Sequence, residues 1–154
     1  MKVQDYLKKS KVAFKVHEHS PAYTAQEVAA EEHVSGKMMA KSVVVRCGKD
    51  YALCVLPASH KLDLAEAAKA LSVRKAALAD ETELAKLFPD VEVGAEPPFG
   101  NLYDMPTVMD KPLQDDDHIT FQAGSHGKAI HMSMDDYRKL VQPKVLAFSY
   151  HMTS

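Results

Sequence analysis

The sequence has no tryptophan, and its 154 residues include only two cysteines and six glycines. None of its apolar runs approaches the ~20 residues that a bilayer-spanning helix needs. Two cysteines cannot make the disulfide framework of a small secreted domain. Neither sign of charge dominates: 19 Lys and Arg oppose 21 Asp and Glu, for a net charge of −2. That balance excludes a broad basic surface gripping a duplex, so DNA is not an expected partner and any RNA contact should be small and local. The opening Met1-Lys2-Val3-Gln4-Asp5-Tyr6 lacks the apolar stretch of a secretory signal. A cytoplasmic protein without a membrane partner is expected. The length suits one domain over residues 1–154 with one core, burying ~70% of the unfolded surface.

What is present reads as alternating helices and strands. Val3, Tyr6 and Leu7 mark a short amphipathic helix, and Val12, Phe14 and Val16 alternate as a strand. Thr24-Ala25-Gln26-Glu27 is a capping box opening a helix that ends near Gly36. Ala40 to Cys47 and Tyr51 to Leu56 predict a hairpin turning at Gly48-Lys49-Asp50. Asp63 caps a helix with Leu64, Ala67, Ala68 and Leu71 inward, and Asp80 with Glu83 opens another that Pro89 stops. Pro97 to Pro112 is a long loop carrying one short strand, Thr107 to Asp110. Strands His118–Ala123 and Ala129–Met132 then flank a turn, Ser133 caps a helix Met134–Val141, and Val145 to Tyr150 returns as an edge strand.

Three segments carry candidate chemistry. In Gly94-Ala95-Glu96-Pro97-Pro98-Phe99-Gly100, a residue free to take positive φ is combined with one locked near −65°. Such a loop holds its backbone in a fixed shape against a ligand, and its amides can aim at a developing oxyanion; the alternative is a rigid surface turn. Lys41, followed by Ser42, opens a buried strand, either as a solvated edge charge or as a cation for an RNA phosphate. Gly124-Ser125-His126-Gly127 forms a tight turn expected to expose its imidazole, facing either a substrate or water.

The remaining reactive residues suggest less. Cys47 and Cys54 read as buried thiols, with a cross-strand bond conceivable under oxidation, and no activating neighbour is local. Eight histidines include His17-x-His19, and His126 with His131 bracketing a loop, but neither has the spacing of a known zinc site. No metal or other cofactor is expected. Lys37, Lys41, Arg46, Lys49 and Lys128 could together rim one acceptor end, or be scattered solvated charges.

Taken in order, the Lys41 strand, the Gly94 to Gly100 loop and the Gly124 to Lys128 turn resemble the signature regions of the YbaK-like family, the editing domains of prolyl-tRNA synthetase and their free-standing relatives. The resemblance implies an α+β fold: a curved, mixed but mainly antiparallel sheet, partly barrel-like and flanked by helices. It further implies hydrolysis of wrongly charged aminoacyl-tRNA. By that resemblance Lys41 anchors the terminal nucleotide, and the backbone from Gly94 through Pro98, Phe99 and Gly100 cradles the aminoacyl group. Gly124, Ser125 and His126 would close the other wall, with Ser42 beside Lys41 and Tyr23 at the pocket rim. The Lys-Ser pair stands where relatives often carry Lys-Thr or Lys-Asn, and many carry another polar residue at the position of His126. The expected partner is an aminoacyl-tRNA acceptor end, with a synthetase as a possible second. The alternatives are a non-catalytic nucleotide- or synthetase-binding module of the same fold and, third, a thiol or metal hydrolase.

Overall fold

In the computed structural model, residues 2–18 and 39–151 are described. The Thr24–Glu27 capping box, Tyr23, His19 and Lys37 lie outside them. The chain begins with α1 (Lys2–Lys9), whose Val3 and Leu7 face the core, and continues into β1 (Phe14–Glu18). Strands β2 (Ala40–Cys47) and β3 (Asp50–Pro57) form the expected hairpin, with Gly48 at φ +68° in its turn. Then come β4 (His60–Leu62), α2 (Leu64–Ala70), β5 (Ala77–Leu78) and α3 (Glu81–Leu87). The Asp63 carboxylate caps α2 by accepting from Ala65 and Glu66, and Asp80 with Glu83 forms the reciprocal capping box of α3. Leu64 is 37% exposed, so the inward face of α2 is Ala67, Ala68 and Ala70 rather than its leucine.

The long proline-rich loop contains β6 (Thr107–Asp110) at the expected place. Strands β7 (His118–Gln122) and β8 (Lys128–Ser133) follow, and the Ser133 hydroxyl accepts from Asp136 to start α4 (Met134–Val141). The C-terminal segment differs from its expectation. It breaks into β9 (Lys144–Leu146), an edge strand, and β10 (Ser149–His151), which pairs elsewhere with β4.

The fold is mixed α+β, as the resemblance implies. A five-stranded sheet runs β5-β2-β3-β6-β9, antiparallel across β5-β2-β3 and parallel across β3-β6-β9. A three-stranded antiparallel sheet runs β1-β8-β7, and a parallel bridge between Met39 and Thr120 joins the two sheets. The β4–β10 ribbon is separate.

Two hydrophobic clusters occupy opposite faces of the five-stranded sheet. Val44, Leu53 and Val55 face Phe99, Phe121 and Tyr137 on one side. Val45, Cys54 and Leu56 face the alanines of α2 and Phe148 on the other. Phe99 is the hub of the aromatic side. It packs edge-on against Phe121 at 5.5 Å, Tyr137 at 5.3 Å and Tyr6 at 6.0 Å between ring centroids. Each such pair adds about 0.5–1.5 kcal/mol to the burial of the rings.

Candidate functional site

The Gly94 loop and the Gly124 turn are laced together by backbone. Glu92 N–H donates to Gly124 carbonyl at 2.9 Å, and Gly124 N–H returns a bond to Ala95 carbonyl at 2.9 Å. His126 completes the lacing: its backbone N–H donates to Glu92 Oε1 at 3.3 Å and its Nε2 bonds Val93 carbonyl at 2.9 Å. A carbonyl only accepts, so Nε2 carries the proton. Gly94, at φ +96°, lies under this ring, and a Cβ placed there would meet His126 Cε1 at 3.2 Å. Both the backbone angle and the close approach call for glycine at this position.

His126 is therefore buried, 7% exposed, which corrects the expectation of an exposed imidazole. The two flanking glycines do make the turn tight. The ring nevertheless folds back onto Gly94, where the missing side chain leaves room and Val93 supplies an acceptor. Glu96 is buried just beyond, 6% exposed, and accepts from Gly94 N–H at 2.8 Å. Burial pushes its carboxyl above the ordinary range, a rise that the hydrogen bonds from Gly94 and its own N–H, together with nearby His126, partly offset.

The amides of Gly94 to Gly100, expected to face a substrate, are already engaged. Gly94 and Glu96 donate to the Glu96 carboxylate, Ala95 to Glu92 carbonyl, Phe99 to Pro97 carbonyl and Gly100 to Thr107 Oγ1. Pro97 and Pro98 have no N–H to offer. Pro98 instead accepts the Tyr137 hydroxyl through its carbonyl at 2.6 Å, and Phe99 points into the aromatic core. The loop's donors thus hold the loop itself. Across the clasp, Ser125 Oγ accepts from Gly127 N–H at 3.2 Å. The Ser125 N–H has no hydrogen-bond partner among the described residues.

Lys41 and Ser42 open β2 immediately after the Met39–Thr120 bridge. Because that bridge is parallel, they lie toward the end of β7 that leads into Ala123 and Gly124. Their side chains take opposite faces of the sheet. Ser42 pairs with Val55 on the aromatic side, and its Oγ is buried without a hydrogen-bond partner. Lys41 pairs with Leu56 on the other side, and no carboxylate among the described residues pairs with it. Burial first, then repulsion from Lys61, lowers its pKa below the usual lysine value. The structure thus joins Gly94, Gly124, Ser125 and His126 directly, with Ser42 and Lys41 at the adjoining strand end; Tyr23 lies outside the described residues.

Several other expectations are settled by position. Arg46 and Lys49 sit at the far end of the β2–β3 hairpin from Lys41, and Arg46 pairs with Glu83 at 3.3 Å, so these charges do not form one rim. His131 lies within β8, not at a loop, and stacks on His118 with centroids 4.8 Å apart. Both cysteines are free: Cys47 stands opposite Asp50 and Cys54 opposite Val43, out of register for a cross-strand bond. Burial pushes the Cys54 thiol up to about 12 and also raises Cys47, the reverse of what a thiolate nucleophile requires. Sequence reasoning missed Glu92 and Glu96, two carboxylates of the clasp. Both stand within or beside the glycine loop, and a carboxylate next to loop N–H groups is a readable signal.

The family model of the aminoacyl-tRNA editing domain matches residues 19–140, and the chain belongs to that family. Its fold is shared with solved structures of low sequence identity. One is a protein provisionally assigned as a trans-editing enzyme for prolyl tRNA synthetase: 21% identity, TM-score 0.85, covering 97% of this chain and 95% of that one. Another is a hypothetical protein, at 19% identity and TM-score 0.87, covering 97% of this chain and all of that one. A third is a scaffold used in computational epitope grafting, at 22% identity and TM-score 0.86, covering 97% and 96%. No helix among the described residues is long and apolar enough to cross a membrane.

Proposed function

We propose that the protein is a free-standing editing deacylase of the cytoplasm, hydrolysing the ester between a small, wrongly attached amino acid and the terminal adenosine of a tRNA. The observation that carries this reading is the clasp of Gly94 under His126 in a chain of the editing-domain family. It is a stiff wall of fixed shape, suited to admitting small side chains and refusing large ones. Alanine, serine, threonine and cysteine are the expected class.

The ester is already activated by the neighbouring ribose hydroxyl, so the protein's part is to hold the acyl group and a water in line and to meet the developing charge. The engaged amides of Gly94 to Gly100 serve as wall rather than oxyanion hole. The Ser125 N–H, unengaged among the described residues, is a donor available to the carbonyl oxygen, and the unpartnered Ser42 hydroxyl is a candidate second contact. His126 braces Val93 and Gly94. Lys41, desolvated and without a carboxylate among the described residues, is a cation available to an RNA phosphate. No cysteine among the described residues is arranged as a covalent nucleophile: Cys54 at about 12 remains a thiol at neutral pH. A synthetase as partner remains part of the proposal and rests on the family alone.

The test is a deacylation panel: tRNAs charged with alanine, serine, threonine, cysteine and, for contrast, phenylalanine, followed for release of the amino acid. Hydrolysis of at least one small-residue ester well above the spontaneous rate, with the phenylalanyl ester untouched, is expected. Tight binding of the same tRNAs with no hydrolysis of any would favour the non-catalytic module.

A further inference from the structure

The β4–β10 ribbon belongs to neither main sheet, yet it is firmly held. Asp110, at the end of β6 and 1% exposed, accepts from Phe148 N–H at 3.0 Å and from the Ser149 hydroxyl. That hydroxyl's single proton goes to Asp110, so its oxygen accepts the bond from His60 Nδ1 at 2.9 Å. Asp63 N–H donates to Phe148 carbonyl at 2.8 Å, and the Phe148 ring is fully buried. One buried carboxylate thus bolts both strands of a three-pair ribbon, which would be marginal alone.

The bolted face of the ribbon carries His60, Leu62 and Ser149, and its other face carries Lys61 and Tyr150. These two are directly opposite in the register, so their side chains stand side by side. Tyr150 is 49% exposed, one of few large hydrophobic side chains among the described residues left open to solvent. Lys61 in turn lies near enough to repel Lys41. Lys41 shares a sheet face and a level with Asp110: Lys41 pairs with Leu56, and Leu56 follows the Val55–Met109 pair that precedes Asp110. An open aromatic ring thus stands directly beside Lys61, which pairs with no carboxylate among the described residues, on a ribbon held by Asp110.

An aromatic face interleaved with cations is the chemistry that binds unpaired nucleic acid, because every base has a π-face and every linkage a charge. We infer that the outer face of the β4–β10 ribbon is a platform for the unpaired 3′ end of an RNA, with a base stacked on Tyr150 and the adjacent phosphate taken by Lys61. The inference rests on the deacylase reading for the identity of that RNA, but binding can be measured without any hydrolysis. It also accounts for how a protein of net charge −2 would hold RNA: through a small, preorganised patch rather than a broad field.

The test uses an uncharged RNA hairpin with a four-nucleotide unpaired 3′ tail, labelled at its 5′ end, and the same hairpin made blunt. Binding is read by fluorescence anisotropy over a range of salt. Wild type should bind the tailed hairpin at least tenfold tighter than the blunt one. Tyr150→Ala should weaken tailed binding about 5- to 100-fold, as loss of one stacked base does, while Tyr150→Phe keeps most of it. Lys61→Ala should lower the slope of log affinity against log salt by about 0.7. Unchanged thermal unfolding of these surface variants separates binding loss from misfolding. Equal affinity for blunt and tailed RNA, or wild-type affinity in Tyr150→Ala, would overturn the platform, as would a loss confined to binding of a protein partner. Wild-type activity in the deacylation panel alongside such a result would leave the deacylase reading standing, and the converse pattern would leave only the platform.

Discussion

Glu96 and Asp110 are both buried carboxylates that organise a piece of irregular chain, and they do so over very different distances. Glu96 holds its own loop: the Gly94 N–H it accepts is two residues away. Asp110 holds a remote segment, accepting from Phe148 and Ser149 nearly forty residues on. The first shapes the Gly94 loop, and the second fixes the β4–β10 ribbon. Removing a local carboxylate leaves the backbone free to find nearby substitutes or water. Removing a long-range one strands two donors and detaches a chain segment, so the costs should be unequal.

The largest effect is expected at Asp110. Asp110→Ala should destabilise the protein by about 3 kcal/mol, leaving Phe148 N–H and the Ser149 hydroxyl without their acceptor. Thermal denaturation should show a fall of about 6–12 °C for a chain of this size, and a fall of under 2 °C would mean that the ribbon holds itself. Next comes Gly94→Val. A β-branched residue at φ +96°, with its Cβ 3.2 Å from His126 Cε1, should cost about 2 kcal/mol and suppress deacylation of every substrate. Full activity in that variant would remove the clasp from the site.

Glu96→Gln should have a smaller effect, and its signature is in pH. Burial raises the folded-state pKa of Glu96 above its unfolded value. The folded protein therefore binds this proton more tightly; the contribution is complete below the ordinary glutamate range and is lost as pH rises through the raised value. The glutamine variant keeps an acceptor for Gly94 and removes the titration. Melting curves from about pH 4 to pH 8 should show the variant gaining on wild type as pH rises. A constant gap across that window would contradict a raised Glu96. Lys41→Ala should move stability least, within about 0.5 kcal/mol, yet slow deacylation about tenfold or more. A large fall in melting temperature with unchanged turnover would make Lys41 structural.

The local part of this architecture was legible from the residues. Asp63, Asp80 with Glu83 and Ser133 each announce a helix start, because capping uses donors within three residues. The β2–β3 hairpin is equally local. Strands β4 and β10, three residues each, carry no usable periodicity; they exist because Asp110 and Phe148 place them, and that information is distributed along the chain. The same holds for His126. Its turn is readable, but the direction of the ring depends on an acceptor and a missing Cβ more than thirty residues upstream. Glycine and proline together announced an irregular loop between Gly94 and Gly100. They could not say that the loop's amides would bind one another and the Glu96 carboxylate.

That last finding sharpens the chemical claim. On the proposed deacylase reading, with the glycine-loop amides engaged and the thiols held in their neutral form among the described residues, the ribose hydroxyl beside the ester is the group proposed to help activate or orient the water. The most direct measurement compares single-turnover hydrolysis of a small-residue tRNA ester whose terminal adenosine is normal with one whose vicinal hydroxyl has been replaced by hydrogen. A loss of about 100-fold or more on the deoxy substrate, with binding retained, is the predicted result. Equal rates on the two substrates would contradict it and require the protein to supply the missing group.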